Sequence, residues 1–236
     1  IIESSILPLE MIFEHRMYLP LVGPAMILSW ALLAVWSAPA WRALSVMLLL
    51  VVALGVATST RNHDWRDPQT LWLDVAAKSP RNSRAQNYLG NISQNKGRFE
   101  EAIDRFHMAL RLDPKNAEAL NNMGNALLAL DQVDEAIERY RKSLTIRHDR
   151  ADVHFNLGNA LREQGRIAES IDALREAVAL RPDFASAHYN LGLTLAKRGD
   201  LDEAIHHFQI VIHIQPDLAG VRHALAVVMK MKQPRQ

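Results

Sequence analysis

The chain has 236 residues, with 27 Lys and Arg against 26 Asp and Glu, 49% hydrophobic residues and no cysteine. A formal charge of +1 gives no footprint for nucleic acid, which needs a clustered basic surface. The lack of Cys excludes disulfides, thiolate zinc sites, iron–sulfur clusters and Cys nucleophiles. Charge is also unevenly spread: Arg42 is the one charged residue between Met17 and Thr60, so two regions of different character are expected.

The opening IIESSILPLE lacks a basic n-region, so it is no secretory signal. It starts on Ile rather than Met, and the expectation is a chain that continues upstream. Residues 1–17 read as an interfacial segment and residues 18–60 as a transmembrane hairpin. Leu19 to Trp36 and Ala43 to Thr60 are two apolar stretches, with Arg42 between them. Eighteen residues of helix rise about 27 Å against a hydrocarbon core of about 30 Å. Pro20 and Pro24 fall in the first turns, where a missing N–H costs least. Trp36, Trp41 and Tyr18 stand where amphipathic rings meet a bilayer interface. Arg42 in the turn and Arg16, Arg61 and Arg66 at the other end argue opposite orientations, so charge leaves the topology open.

Residues 61–82 form a connector and half repeat, with a helix expected over Pro68 to Lys78 and Asp67 as its cap. Four blocks of 34 residues then align without a gap over 83–218. The eighth place is Gly90, Gly124, Gly158 or Gly192. The twentieth is Ala102, Ala136, Ser170 or Ala204, and the twenty-fourth Phe106, Tyr140, Leu174 or Phe208. Pro114, Pro182 and Pro216 stand near the block ends, with His148 replacing Pro in the second. Each block predicts two helices joined at Lys96-Gly97, Leu130-Asp131, Gln164-Gly165 or Arg198-Gly199. The eighth-place glycines and small twentieth residues let the paired helices approach closely. The pattern resembles the tetratricopeptide repeat, which implies an α-solenoid of stacked helix pairs. Residues 219–236 read as a capping helix and tail.

In that family the first helices line a concave surface that binds peptides. The sixth place is Asn122, Asn156 or Asn190 (Tyr88 in the first block), and the ninth is Asn91, Asn125 or Asn159. Asn87 and Tyr189 complete the candidate groove. The runs NNMGNAL, FNLGNAL and YNLGLTL resemble the repeats of O-linked N-acetylglucosamine transferase, a family that holds an extended peptide backbone on an asparagine ladder. An Asn side chain offers the donor and acceptor that a peptide unit needs. The same residues have a second reading, as bridges between adjacent helices of the solenoid. The carboxylate clamp of chaperone-binding relatives needs a cation on the third block's first helix, where Asp152 and Asn156 stand.

Ten histidines form no HExxH and no metal spacing; His154 and His188 share one repeat place, which suggests packing. No phosphate loop, nucleophile elbow or nucleotide fingerprint appears, so no cofactor is expected. Glu100-Glu101, Asp134-Glu135 and Asp202-Glu203 open second helices, where carboxylates favour the helix dipole. The FEHRMYLP run and the WRDPQTLW run resemble the polytopic GT-C-type glycosyltransferases with C-terminal tetratricopeptide repeats, the O-mannosyltransferase-like group and its bacterial relatives. That resemblance implies an integral protein of a bacterial inner membrane with periplasmic repeats. It makes Glu14, His15 and Arg16 candidates for a contribution to a catalytic site, against a reading as interfacial anchors.

The expected fold is all-α: a two-helix transmembrane hairpin, then a right-handed tetratricopeptide α-solenoid. The expected function is a membrane-anchored module that binds or scaffolds a polypeptide or a protein subunit of a membrane complex, with the lipid bilayer as a further partner. The alternative is the C-terminal part of a GT-C-type glycosyltransferase whose repeats present protein acceptors.

Overall fold

A computed structural model describes Ser45, Leu48, Leu49, residues 51–56 and residues 68–233. The chain divides into two compact units, 1–67 and 68–236. In the first, the described residues are helical and their side chains are exposed. Among the described residues no helix is long and apolar enough to cross a membrane, which overturns the expected transmembrane hairpin. A span needs a helix of roughly 30 Å, about 20 apolar residues, and no helix among the described residues meets that. The other expected span, 19–36, lies outside the described residues, as do Glu14, His15 and Arg16.

The second unit is a succession of helices: α1 (Pro68–Lys78), α2 (Ser83–Asn95), α3 (Phe99–Leu112), α4 (Ala117–Ala129), α5 (Val133–Ile146), α6 (Ala151–Glu163), α7 (Ile167–Leu180), α8 (Ala185–Arg198), α9 (Leu201–Ile214) and α10 (Val221–Lys232). Four helix pairs, α2 to α9, match the four 34-residue blocks, with α1 as the half repeat and α10 as the cap.

The turn inside each pair has one design. Gly97, Asp131, Gly165 and Gly199 all adopt positive φ, at 73°, 61°, 79° and 101°. That conformation lets the next N–H reach back across the helix end: Arg98 to Ser93 (2.9 Å), Gln132 to Leu127 (2.9 Å), Arg166 to Leu161 (2.8 Å) and Asp200 to Leu195 (3.0 Å). These bonds satisfy carbonyls that the helix end leaves bare. Asn82 and Asn116 cap α2 and α4 by accepting from the Ala85 and Ala119 amides.

Within each pair the eighth-place glycine receives the bulky twenty-fourth residue. A methyl group on Gly90 would stand 2.4 Å from the Phe106 ring, on Gly124 2.6 Å from Tyr140, on Gly158 2.6 Å from Leu174 and on Gly192 2.8 Å from Phe208. Phe106, Tyr140, Leu174 and Phe208 are all fully buried, and they anchor the core between the two helices of each repeat. Ala102, Ala136 and Ala204 are buried at the twentieth place, and Ser170 there sends its hydroxyl to the Gly158 carbonyl at 2.7 Å. At the ends of the array, Trp72 of α1 stacks on Tyr88 of α2 at 5.0 Å, while α10 buries Val221 and Val228 against α9 and α8.

First helices of consecutive repeats (α2, α4, α6, α8) approach one another directly, whereas each second helix packs on the first helix of the next repeat. The stack therefore curves toward its first helices, and their exposed side becomes the inner face. The second helices carry exposed ion pairs from one repeat to the next, Arg141 to Glu169 (2.7 Å) and Arg175 to Glu203 (2.8 Å). Such solvated pairs contribute little to stability.

Candidate polypeptide-binding groove

The fifth, sixth and ninth places of a first helix lie on adjacent turns of one side, so they meet their counterparts on the neighbouring repeat. Asn122 Nδ2 donates to Asn87 Oδ1 at 3.2 Å, and Asn121 Nδ2 to Asn122 Oδ1 at 3.3 Å. Asn156 Nδ2 donates to both Asn121 Oδ1 (3.0 Å) and Asn125 Oδ1 (3.1 Å). Asn125 Oδ1 also accepts from the Tyr140 hydroxyl at 2.7 Å, and Asn190 Nδ2 donates to Asn159 Oδ1 at 2.7 Å. The sixth-place asparagines thus reach back to the preceding repeat.

The network runs unbroken from Asn87 to Tyr140 and stops where Phe155 takes the fifth place. Phe155 packs on Phe184 at 4.9 Å, and the Arg181 guanidinium lies 4.6 Å over the Phe184 ring. Tyr189, at the same place one repeat later, packs on Phe208 at 5.8 Å and belongs to the edge of the core. Tyr140 is pushed up from the usual phenol range by burial, so its hydroxyl stays protonated as a donor. Asn87 is buried, and Asn91, Asn125 and Asn159 are half-buried.

The donor and acceptor count decides what this face offers. Asn87, Asn125 and Asn159 accept through Oδ1, while their Nδ2 groups make no hydrogen bond among the described residues. None of those nitrogens is a buried atom without a partner. Each side chain is therefore held by its oxygen and leaves an amide donor free for a carbonyl. The Asn91 side chain makes no hydrogen bond among the described residues.

Asp152 lies in a two-pronged pair with Arg150 (2.6 and 2.9 Å), and that side-chain hydrogen bond holds its carboxyl below the ordinary range. Its place in the third repeat is taken by this local pair, and no cation of a carboxylate clamp stands there. Among the described residues no three metal-ligating side chains gather.

Sequence reasoning missed Asn121 and the Tyr140 hydroxyl. The signals were the Asn121-Asn122 doublet and a Tyr where two other repeats carry Phe. It also missed a pair between α8 and α9: His188 Nδ1 and His207 Nδ1 lie 2.9 Å apart, and His188 Nε2 meets the Pro182 carbonyl at 3.0 Å. His188 thus carries its proton on Nε2 and accepts through Nδ1, so His207 donates from Nδ1. The same place in the third repeat, His154, bonds the His148 carbonyl at 3.0 Å, a tie to the end of the preceding repeat.

Sequence profiles of the tetratricopeptide repeat match residues 81–147, 115–183 and 155–219, together more than half of the chain. The chain belongs to the tetratricopeptide repeat family. Protein O-mannosyl-transferase Tmtc3 of Drosophila melanogaster is 29% identical over 103 residues, 42% of this chain and 11% of that protein. The chain thus spans about a tenth of the length of this relative. The crystal structure of MamA superposes with a TM-score of 0.58 and 29% identity, over 61% of this chain and 84% of that one. That of YrrB, described as a tetratricopeptide repeat protein with an unusual peptide-binding site, gives a TM-score of 0.63 over 70% of this chain and 85% of its own. At 24% identity YrrB shows the likeness of fold alone. This tetratricopeptide repeat protein is a protein-interaction module with distant similarity to the Tmtc glycosyltransferases.

Proposed function

We infer that the solenoid holds an extended polypeptide along its inner face, with Asn87, Asn125 and Asn159 donating to backbone carbonyls of the ligand. One observation carries this reading: all three side chains spend their oxygen inside the protein and keep an uncommitted amide donor. A row of such donors reads the backbone and tolerates many side chains.

The sixth-place asparagines also tie neighbouring repeats together through Nδ2, so a change there mixes binding with stability. The informative change is Asn→Asp at positions 87, 125 and 159, which keeps an acceptor oxygen and removes both donor hydrogens. A reduced, carboxymethylated polypeptide is expected to bind the parent chain and to bind this triple variant at least about tenfold more weakly, the effect of roughly 1.4 kcal/mol. Helicity is expected to stay unchanged. Equal binding by parent and variant overturns the reading.

The similarity to Tmtc3 favours a second reading, in which the groove presents acceptor polypeptides to a glycosyl-transfer activity. Mannose transfer to polypeptide by cells expressing the whole gene is then expected to fall when residues 83–218 are deleted. Transfer that survives the deletion overturns this reading.

A further inference from the structure

The junction of α1, α2 and α3 contains a cleft of about 560 Å³. It has its origin in sequence. Ala76 occupies the repeat place filled in the four full repeats by Leu110, Leu144, Val178 and Ile212, all of them packed against the core. The short Ala76 side chain leaves the α1 side of the interface underfilled, and Leu73, Met108 and Leu112 stay exposed around the gap.

The walls are apolar, but the polar lining is of one sign. Arg105 and Arg111 line the cleft, and no carboxylate does. Neither guanidinium has an ion pair among the described residues, and Arg105 is held only by Gln86 Oε1, at 3.3 Å. The acid on the facing helix, Asp74, is paired with Lys78 at 2.6 Å. An open, largely apolar groove with two guanidinium groups outside any ion pair suits a ligand with a hydrocarbon chain and one anionic end.

We propose that this cleft between the half repeat and the first repeat is a binding site for an amphiphilic carboxylate of medium chain length. The chain lies in the gap beside Ala76 and Ala77, and the carboxylate takes hydrogen bonds from Arg105 and Arg111. The site is separate from the asparagine face and uses none of its residues.

Dodecanoate below its micellar concentration is the probe, titrated into the full chain by calorimetry with the Met108 methyl resonance as a local reporter. Saturable binding that shifts Met108 is expected. Ala76→Leu introduces the residue that the first two full repeats carry at this place, so it is expected to weaken binding about tenfold or more, as loss of room for two methylenes does, without lowering the melting temperature. Replacing Arg105 and Arg111 with Gln is expected to abolish the preference for dodecanoate over dodecanol. The triple Asn→Asp variant of the inner face should bind dodecanoate normally, so this site and the polypeptide groove fail independently. Equal binding by the parent and Ala76→Leu, an unmoved Met108 methyl, or equal affinity for dodecanol overturns the proposal.

Discussion

The ring of Tyr140 lies across the Cα of Gly124, so that a methyl group there would sit 2.6 Å from the ring edge. The same contact leaves the Tyr140 hydroxyl 2.7 Å from Asn125 Oδ1. One side chain thus fixes the spacing of α4 and α5 and orients a groove asparagine. Gly124→Ala has no space to relax into, because Tyr140 is fully buried. It is expected to destabilise the solenoid by about 1–3 kcal/mol, the usual range for overpacking. Urea denaturation followed by circular dichroism checks this, with an exposed Ala129→Ser change as a near-neutral control.

Asn156 donates twice and Asn190 once, which orders their importance. Asn156→Ala strips Asn121 Oδ1 of its partner and leaves Asn125 with Tyr140 alone, and is expected to cost about 1–2 kcal/mol. Asn190→Ala is expected to cost about half as much, since one bond is lost. Because the stability of a repeat array is largely a sum of neighbour contacts, Asn156→Ala should also broaden the transition by uncoupling the second and third repeats. Equal midpoints and slopes for the two variants contradict this ordering.

The 34-residue period placed the helix pairs because Gly, a small residue and a bulky residue recur where two helices must touch, and local chemistry fixes each of those places. The turn at Asp131 was legible on the same ground. The asparagines were legible as a set of places. Their partners were not: Asn156 meets residues 31 and 35 positions earlier, and the pitch of the stack chooses between those neighbours. The packing of Tyr189 on Phe208 was not legible, because it depends on how α8 and α9 meet rather than on the repeat place. The hairpin reading rested on apolar length, and among the described residues no helix has that length. The cleft at Ala76 was open to sequence reasoning, by asking which place in the half repeat departs from the other four.

Asp131 is the one non-glycine residue at positive φ among the described residues, where the other three repeats use Gly. Its φ of 61° puts Cβ in the strained left-handed region, which Asp tolerates better than most residues but less well than Gly. Asp131→Gly is therefore expected to stabilise the chain by about 0.5–1 kcal/mol, net of the extra freedom glycine gains when unfolded. Gly165→Ala, which introduces the strain, should destabilise by about 1 kcal/mol. Melting temperatures that move in the same direction for both variants refute the argument.

The His188–His207 pair makes stability depend on pH. Burial pushes His207 down from its ordinary value to about 4, with His188 and His206 adding repulsion and Arg175 a little more, while Glu203 opposes the shift. His188 is lowered as well, chiefly by burial. The folded state therefore favours the neutral ring, and the unfolded state takes up the proton first. Stability is complete above the unfolded value of roughly 6.5, falls as pH drops from there toward 4, and levels off below it. The loss attributable to His207 has an upper bound of about 3 kcal/mol, since each pKa unit is worth about 1.4 kcal/mol. His207→Gln keeps a donor for His188 Nδ1 but does not titrate, so its melting temperature should fall less between pH 7 and pH 4.5 than that of the parent chain. Changes at Arg175 and Glu203 separate the causes. Removing Arg175 takes away a positive neighbour and should raise the His207 pKa slightly, whereas Glu203→Gln should lower it further; a pH titration of the imidazole resonances reads both.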